Sequence, residues 1–281
     1  MLQNGALFAP GLPAPYPYAL LLDHTRVLAM RGPPCPTAGL AAPLDYGEAW
    51  LARETALYRR ARVLATFSAN VARSLVSDYG VDPACVRVVG AGANVFPGAA
   101  PRQDDGRTIL FVGRDFPRKG GAVLAEAFAR LRRTEPRARL LVAGPPAAPP
   151  LPRGAHWLGP VELDELPALF AQATVFALPT LREPFGLAFL DAMACAVPCV
   201  GTAHEAVPEI VSHAETGLLV PPGDAGALAE ALRRLLAEPE RARAMGARGR
   251  ERVAAGFLWS HVAERLERAL LDAISSHGKA A

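Results

Sequence analysis

The chain has 281 residues, of which 51% are hydrophobic, and its formal net charge at pH 7 is +3. This length allows one large or two modest domains, and the hydrophobic share is ample for a buried core. The small net charge, with arginines interleaved among acids rather than collected in blocks, argues against nucleic-acid binding.

Apolar runs in the chain fall short of the roughly eighteen residues that a membrane-spanning helix needs. The first 25 positions contain no Lys or Arg that could form the charged start of a signal peptide. We therefore expect a cytoplasmic protein without a transmembrane segment, and peripheral contact with the inner membrane surface stays open. Cysteines at 35, 85, 195 and 199 have neither redox nor zinc spacing, so we expect reduced thiols and no metal site.

Residues 1–95 are predicted to form a small, incomplete Rossmann-like domain. The glycine-rich first strand-to-helix turn of such a domain is missing, so the chain looks truncated at this end. Ser68 is expected to cap one of the helices. The predicted strands lie near 18–22, 62–67 and 86–89, and the predicted helices at about 47–60 and 68–80.

A stretch rich in Pro, Gly and charge at 96–107 is predicted to link this piece to a second domain at 108–256. Regular alternation of strand and helix patterns there predicts a doubly wound parallel sheet, with Trp157 anchored in the core. A last helix and tail at 257–281 are expected to contact the first piece. The predicted strands of the second domain span 108–112, 139–143, 155–158, 174–178, 197–201 and 217–220, and its helices 120–133, 162–172, 187–196, 207–213, 225–236 and 239–254.

A loop with two basic residues follows the predicted strand 108–112. Gly113 lets a ligand approach the backbone closely. Arg114 and Lys119 carry the positive charge of the loop before Gly120 opens a helix. This lysine is one of only two among the 30 basic residues. Because an ammonium makes a point contact with one phosphate oxygen while a guanidinium grips two, the pair suits a diphosphate, although two exposed loop charges are the alternative.

A turn flanked by carboxylates follows another predicted buried strand, at 174–178. Pro184 forbids continuation of the strand, and Gly186 permits a tight turn before helical spacing resumes. Glu183 and Asp191 lie eight positions apart around this turn. A helix N-terminus attracts phosphate, and carboxylates accept hydrogen bonds from hydroxyls, so the turn suits a ligand that combines sugar and phosphate. Both loops directly follow strands of one parallel sheet, so we expect them on the same rim.

Six short motifs in the chain occur in an order typical of one protein family. They are Gly113-Arg114, Lys119-Gly120, Trp157-Leu158-Gly159, the segment 183–187, Pro208-Glu209-Ile210-Val211 and the segment 216–224. With them, residues from about 50 to 270 resemble the retaining family 4, or group 1, glycosyltransferases, which use nucleotide-sugar donors. The resemblance implies an α/β fold of the GT-B type, in which a doubly wound, parallel Rossmann-like sheet accompanies a smaller Rossmann-like N-terminal domain.

The resemblance also implies roles for individual residues. Arg114 and Lys119 would hold the donor diphosphate and Glu183 would contact the sugar, and we take these three as the catalytic residues. Backbone at 185–187 would meet sugar and phosphate, and Asp191 the ribose. The remaining donor-binding positions complete the implied site, with His24 open to a purely structural pairing with its neighbour Asp23. The implied donor-binding residues are Gly113, Phe185, Gly186, Leu187, Asp191, Val161 and His24.

Two departures from the family pattern affect the site. Asp191 stands where the family usually has Glu, so its reach toward a ribose is shorter by about one methylene. The usual Gly-Gly before Pro-Glu is replaced by Glu205-Ala206-Val207, which leaves the shape of the sugar pocket open.

The sequence therefore predicts a retaining, metal-independent transfer of a hexose from a nucleotide diphosphate sugar to an unidentified hydroxyl on a glycan, lipid or small molecule. No cofactor is expected, and no Asp-x-Asp motif indicates a metal clamp. Two alternatives stay open: an inactive or truncated nucleotide-sugar-binding fragment, and a GT-B-like epimerase or phosphorylase. A nicotinamide dehydrogenase is least favoured, because no Gly-x-Gly-x-x-Gly follows a strand.

Overall fold

The structure is a computed structural model that describes residues 1–4, 17–31, 47–98 and 102–277. The chain divides into two compact units. The first unit contains the described residues up to Gly92 together with those from Leu258 onward, and the second runs from Ala93 to Phe257. Within the described ranges between 47 and 277, the chain leaves the first unit after Gly92 and returns to it at Leu258.

The first unit is built on four parallel strands with helices between them. Its elements are β1 Leu2–Asn4, β2 Ala19–Leu22, α1 Arg26–Arg31, α2 Gly47–Arg60, β3 Val63–Thr66, α3 Ala69–Ser77, β4 Val86–Val88 and the C-terminal α10 Trp259–His277. The strands lie in the order β1-β2-β3-β4 in the sheet. The short β1 and α1 were not predicted from the sequence. Ser68 caps α3, since its Oγ accepts a hydrogen bond from the Val71 amide at 3.2 Å.

Helix α10 packs against the sheet of this first unit. Val262 and Ala269 on the helix join Ala65 and Val89 in one buried cluster. The Nε of Arg265 also donates a hydrogen bond to the Val89 carbonyl at 2.7 Å. The helix therefore contacts the N-terminal piece, as the sequence led us to expect.

A buried carboxylate lies among the helices of the first unit. The oxygens of Glu54 accept hydrogen bonds from the hydroxyls of Tyr58 at 3.1 Å and Tyr79 at 2.7 Å. Burial is the largest cause that raises the pKa of both tyrosines above the usual range, and the nearby Glu54 raises both pKa values further. The hydroxyls thus stay protonated and serve as donors, which satisfies the carboxylate inside the unit.

The second unit is a six-stranded parallel sheet, as predicted. Its elements are β5 Thr108–Val112, α4 Gly121–Leu131, β6 Arg139–Ala143, β7 Ala155–Gly159, α5 Leu166–Gln172, β8 Val175–Leu178, α6 Leu187–Ala194, β9 Cys199–Thr202, α7 Val207–Ile210, β10 Gly217–Val220, α8 Ala225–Ala237 and α9 Pro239–Gly256. The strand order is β10-β9-β8-β5-β6-β7, so the chain builds one half of the sheet outward from β5 and the other half outward from β8. β8 and β9 are buried along their whole length, as expected for a parallel sheet covered on both faces.

Two details of the second unit differ from the expectations. Residues 102–107, predicted as part of a linker, belong to this unit, because the Arg102 guanidinium donates hydrogen bonds to the carbonyls of Ala173 and Ala196. Trp157 is not a core residue: it lies on the edge strand β7, is 40% exposed and donates its indole N–H to the Pro145 carbonyl at 3.0 Å. The packing of both segments depends on the sheet order, which the local sequence does not reveal.

The two ends of the second unit lie side by side. The Ala93 amide donates a hydrogen bond to the Phe257 carbonyl at 3.0 Å, so the chain enters and leaves the unit at one point. None of the helices in the described ranges is both long and apolar enough to cross a bilayer.

Candidate functional site

The two loops singled out from the sequence follow neighbouring strands of the second unit. β5 pairs with β8 in parallel, with Ile109 opposite Val175 and Leu110 opposite Phe176. The chain reverses its direction of travel across the sheet between these two strands. In open parallel sheets, ligands bind in the crevice that such a reversal leaves beyond the carboxyl ends of the strands.

Direct contacts join these two loops into one body. The Leu181 amide donates to the Arg118 carbonyl at 3.0 Å, and the Arg118 guanidinium donates to the Arg182 carbonyl at 3.0 Å. Gly120, at a φ of 73°, lies so close to the Pro179 carbonyl that any side chain there would collide with it. The geometry of one loop is therefore fixed by the other.

The central feature of the crevice is an ion pair between the two loops. Nζ of Lys119 lies 2.5 Å from Oε2 of Glu183, and the two side chains are only 14% and 6% exposed. Gly113 borders the pair, since a side chain at that position would place its first carbon 3.0 Å from Cγ of Lys119. Lys119 and Glu183, predicted separately from the sequence, are thus brought together.

A third loop, which follows β9, adds another carboxylate. Oε2 of Glu205 accepts a short hydrogen bond from the backbone N–H of Glu183. Oε1 of Glu205 lies 3.6 Å from Nε of Arg182 and 3.8 Å from Nε2 of His204, too far for a hydrogen bond in either case. The loops that follow three adjacent strands of the sheet thereby meet at one end of it.

Helix α6 begins at the same place. Gly186, at a φ of 117°, precedes its first residue Leu187, and Phe185 is buried beside the turn. The first amides of a helix have no carbonyl partner within the helix and carry a partial positive charge. An anion such as phosphate can therefore be held here beside Lys119, while carboxylates are available to hydroxyls.

Comparison with known protein families agrees with this arrangement. A family model described as glycosyl transferases group 1 matches residues 96–252, which is more than half of the chain. The chain belongs to this glycosyltransferase family. The match contains the two loops and helix α6, so the crevice lies within the region that defines the family.

Individual relatives carry more specific names. The chain is 32% identical over 241 residues to the D-inositol 3-phosphate glycosyltransferase of Salinispora tropica, a match that covers 73% of this chain and 50% of the relative. It is 36% identical over 176 residues to a GDP-mannose-dependent alpha-(1-6)-phosphatidylinositol monomannoside mannosyltransferase of Mycobacterium tuberculosis, with 57% and 46% covered. The chain thus spans about half the length of these glycosyltransferases.

A solved structure shows the same fold. Sucrose-phosphate synthase from Thermosynechococcus elongatus superposes with a TM-score of 0.77 at 27% identity, covering 93% of this chain and 69% of that one. The predicted α/β fold of the GT-B glycosyltransferases is therefore confirmed.

The structure gives Asp191 a partner that the family pattern did not suggest. Its Oδ1 accepts hydrogen bonds from the amides of Asn94 at 2.7 Å and Val95 at 3.0 Å. Burial raises the pKa of this carboxyl above its usual range, although the two amides partly offset the effect. One oxygen of the predicted ribose-binding residue is thus already used to hold the start of the second unit.

The other predicted residues differ in how closely the structure ties them to the crevice. Arg114 is exposed and makes no hydrogen bond or ion pair within the described part of the chain, so its guanidinium is available to a ligand. Val161 is half-buried in the loop after β7. His24 follows β2 in the first unit, and its role in this glycosyltransferase stays a prediction. Among the described residues, no three His, Cys, Asp or Glu side chains cluster in a way that could hold a metal ion.

Sequence reasoning missed two participants in the crevice. It noted Glu205 only as a departure from the family's glycines, and it gave Arg182 no role. Both lie at positions where helix or strand periodicity carries no information. The one available signal was a charged residue in place of glycine at a turn.

Proposed function

We propose that this protein is a retaining glycosyltransferase that moves a hexose from a nucleotide diphosphate sugar to a hydroxyl of a glycan, lipid or small molecule without a metal ion. The observation that carries the proposal is the Lys119–Glu183 ion pair beside the N-terminus of α6. This arrangement offers cationic groups for a diphosphate and a carboxylate for a sugar within one crevice. One relative named above is GDP-mannose-dependent, which supports a nucleotide-sugar donor.

Lys119 is suited to two partners at once. An ammonium group has three donors, so it can keep one hydrogen bond to Glu183 while it contacts a phosphate oxygen. The ion pair places that ammonium before any donor binds, and no reorganisation is then needed when negative charge develops on the departing diphosphate. Arg114 would add a planar, two-oxygen grip from the exposed side of the loop.

Glu183 is assigned to the sugar. Its side chain accepts from Lys119 through Oε2, and Oε1 is left to accept from a sugar hydroxyl. Such a contact fixes the sugar carbon relative to the acceptor, which lowers the barrier by orientation. Ribose binding by Asp191 would use Oδ2, because Oδ1 holds the amides of Asn94 and Val95.

A panel of nucleoside diphosphates tests the donor site directly. Ligand at a hundred times its Kd stabilises a protein by about 2.7 kcal/mol, so the correct nucleotide should raise Tm measurably. Transfer assays with the matching nucleotide sugars should begin with inositol phosphates and phosphatidylinositol mannosides as acceptors, following the names of the relatives. Activity should survive EDTA, and the product anomer, determined by NMR, should match that of the donor.

Other outcomes distinguish the alternatives. Nucleotide binding without transfer or donor hydrolysis would identify a nucleotide-sugar-binding fragment. Formation of an epimerised sugar or of a sugar phosphate, instead of a transfer product, would identify an epimerase or a phosphorylase. A Tm that no nucleotide changes would contradict the proposal altogether.

A further inference from the structure

The carboxylate of Glu205 has no part in the function proposed above, although it lies within the crevice. We propose that Glu205 is a positioning residue: it fixes the backbone of Glu183 and thereby aims the carboxylate that meets the donor sugar. This inference rests on the proposed function and extends it to a residue that stands where the family pattern has glycine.

The contact itself is specific. Oε2 of Glu205 accepts the N–H of Glu183, and a hydrogen bond to an ionised acceptor is stronger than one between neutral groups. The Glu205 side chain is 5% exposed, so its charge needs compensation, which Arg182 provides with Nε at 3.6 Å from Oε1. A buried carboxylate whose charge is compensated, and which accepts a hydrogen bond from one backbone amide, is well placed to hold that amide.

The backbone of Glu205 also indicates that this contact is maintained against strain. Its φ is 50°, in the left-handed region that non-glycine residues rarely adopt. The other described non-glycine residues at positive φ, Ala196 and Ala214, are alanines. A long side chain persists in this conformation only where its surroundings over-determine it, and here the carboxylate contact does so.

Glu183 is therefore held from two directions. Lys119 holds its side chain, and Glu205 holds its peptide. Loss of the Glu205 carboxylate would leave the ion pair and the N-terminus of α6 in place, so diphosphate binding should change little. The backbone that carries the Glu183 carboxylate would no longer be held in place. A displacement of about 1 Å near reacting groups can cost about a hundredfold in rate.

Three substitutions of Glu205 distinguish the effect of its carboxylate from the effect of its backbone conformation. Glu205→Ala should lower kcat about 10- to 100-fold while the Kd for the nucleoside diphosphate stays within about twofold. Glu205→Gln keeps an acceptor oxygen and should retain most of the wild-type kcat. It can still be measured if the Glu205→Ala variant fails to fold. Glu205→Gly relieves the positive φ but lacks the carboxylate, so it should be as slow as alanine. A glycine variant as fast as the wild type would overturn the proposal.

A double substitution and an exchange measurement complete the test. If Glu205 acts through Glu183, adding Glu205→Ala to Glu183→Ala should lower kcat no further, whereas independent effects that multiply would overturn the proposal. Hydrogen–deuterium exchange in a peptide covering 180–188 should be about tenfold faster in Glu205→Ala than in the wild type. Glu215→Ala, which removes an exposed carboxylate from the same unit, is the control and should leave that exchange unchanged.

The exchange experiment does not need activity. A wild-type protein that transfers no sugar would contradict the proposed function, while the exchange rates would still show whether Glu205 holds the Glu183 amide. Unchanged exchange in Glu205→Ala would overturn the positioning role even if transfer is observed.

Discussion

Each unit of the protein contains a carboxylate buried among polar partners, and the two are satisfied in different ways. In the first unit, Glu54 accepts hydrogen bonds from two tyrosine hydroxyls inside a layer of helices. In the second unit, Glu183 pairs with the ammonium of Lys119 beyond the carboxyl ends of the strands. The first arrangement relies on two buried hydroxyls, with Nε of Arg26 farther away at 3.6 Å from Oε1 of Glu54, whereas the second places an ammonium within hydrogen-bond distance of the carboxylate.

This difference distinguishes a carboxylate with a structural role from one that is proposed to contact a ligand. Burial keeps the two tyrosine hydroxyls protonated, so both continue to donate to Glu54. Glu54 therefore stabilises the packing of the helices. A lysine at the mouth of a crevice can turn part of its hydrogen bonding toward an incoming anion. Substitutions in the two clusters should therefore affect different measurements.

The largest effect is expected from Lys119→Ala. Removal of a fixed donor aimed at developing negative charge typically costs about 10² to 10³ in kcat, and nucleotide affinity should fall less. Steady-state kinetics with the donor found in the nucleotide panel checks this. Unchanged turnover would show that the ion pair has only a structural role, like the Glu54 cluster.

The Glu54 cluster should respond in stability and not in catalysis. Glu54→Ala leaves two buried hydroxyls without their acceptor, at a cost of about 1–3 kcal/mol each, so Tm should fall by several degrees. The kcat of the folded fraction should be unchanged. Glu54→Gln, which keeps an acceptor oxygen, should lose much less. A Glu54 variant that keeps its Tm but loses activity would contradict a purely structural role for Glu54.

The smallest effect concerns Asp191 and pH. Because burial raises the pKa of this carboxyl in the folded protein, the folded state binds the proton more tightly than the unfolded state does. The contribution of Asp191 to stability is therefore greatest below the unfolded pKa of about 3.9 and declines as pH rises through the folded pKa. Asp191→Asn keeps an acceptor for the amides of Asn94 and Val95 without this loss. Melting curves from pH 4 upward should show the Tm of Asp191→Asn rising relative to that of the wild type. A Tm difference that does not change with pH would contradict a raised pKa of Asp191.

Much of the second unit could be predicted because its signals are local. The apolar runs at 108–112 and 217–220 gave the bounds of β5 and β10, and the glycines at 113 and 186 marked the turns that follow strands. Convergence of Lys119 and Glu183 followed from the rule that carboxyl ends of parallel strands share one rim.

The remaining features depend on contacts between distant positions. Asp191 meets amides almost a hundred residues earlier in the chain, so no local pattern reveals that its carboxylate is already engaged. Trp157 is exposed because β7 lies at the sheet edge, and the sheet order is a property of the whole unit. The contact of Glu205 with Glu183 involves a left-handed backbone conformation, which no sequence pattern indicates at a glutamate.

The hydrogen bond between the Ala93 amide and the Phe257 carbonyl has a practical consequence. Adjacent ends make a stretch of chain separable from its surroundings, as in domains that tolerate excision, insertion or circular permutation. Residues 93–257 form a closed excursion of this kind, with their own sheet and the three loops of the crevice. The proposed donor-binding crevice of this glycosyltransferase therefore lies within one stretch of chain, which evolution or an engineer could transfer to another protein by joining two adjacent ends.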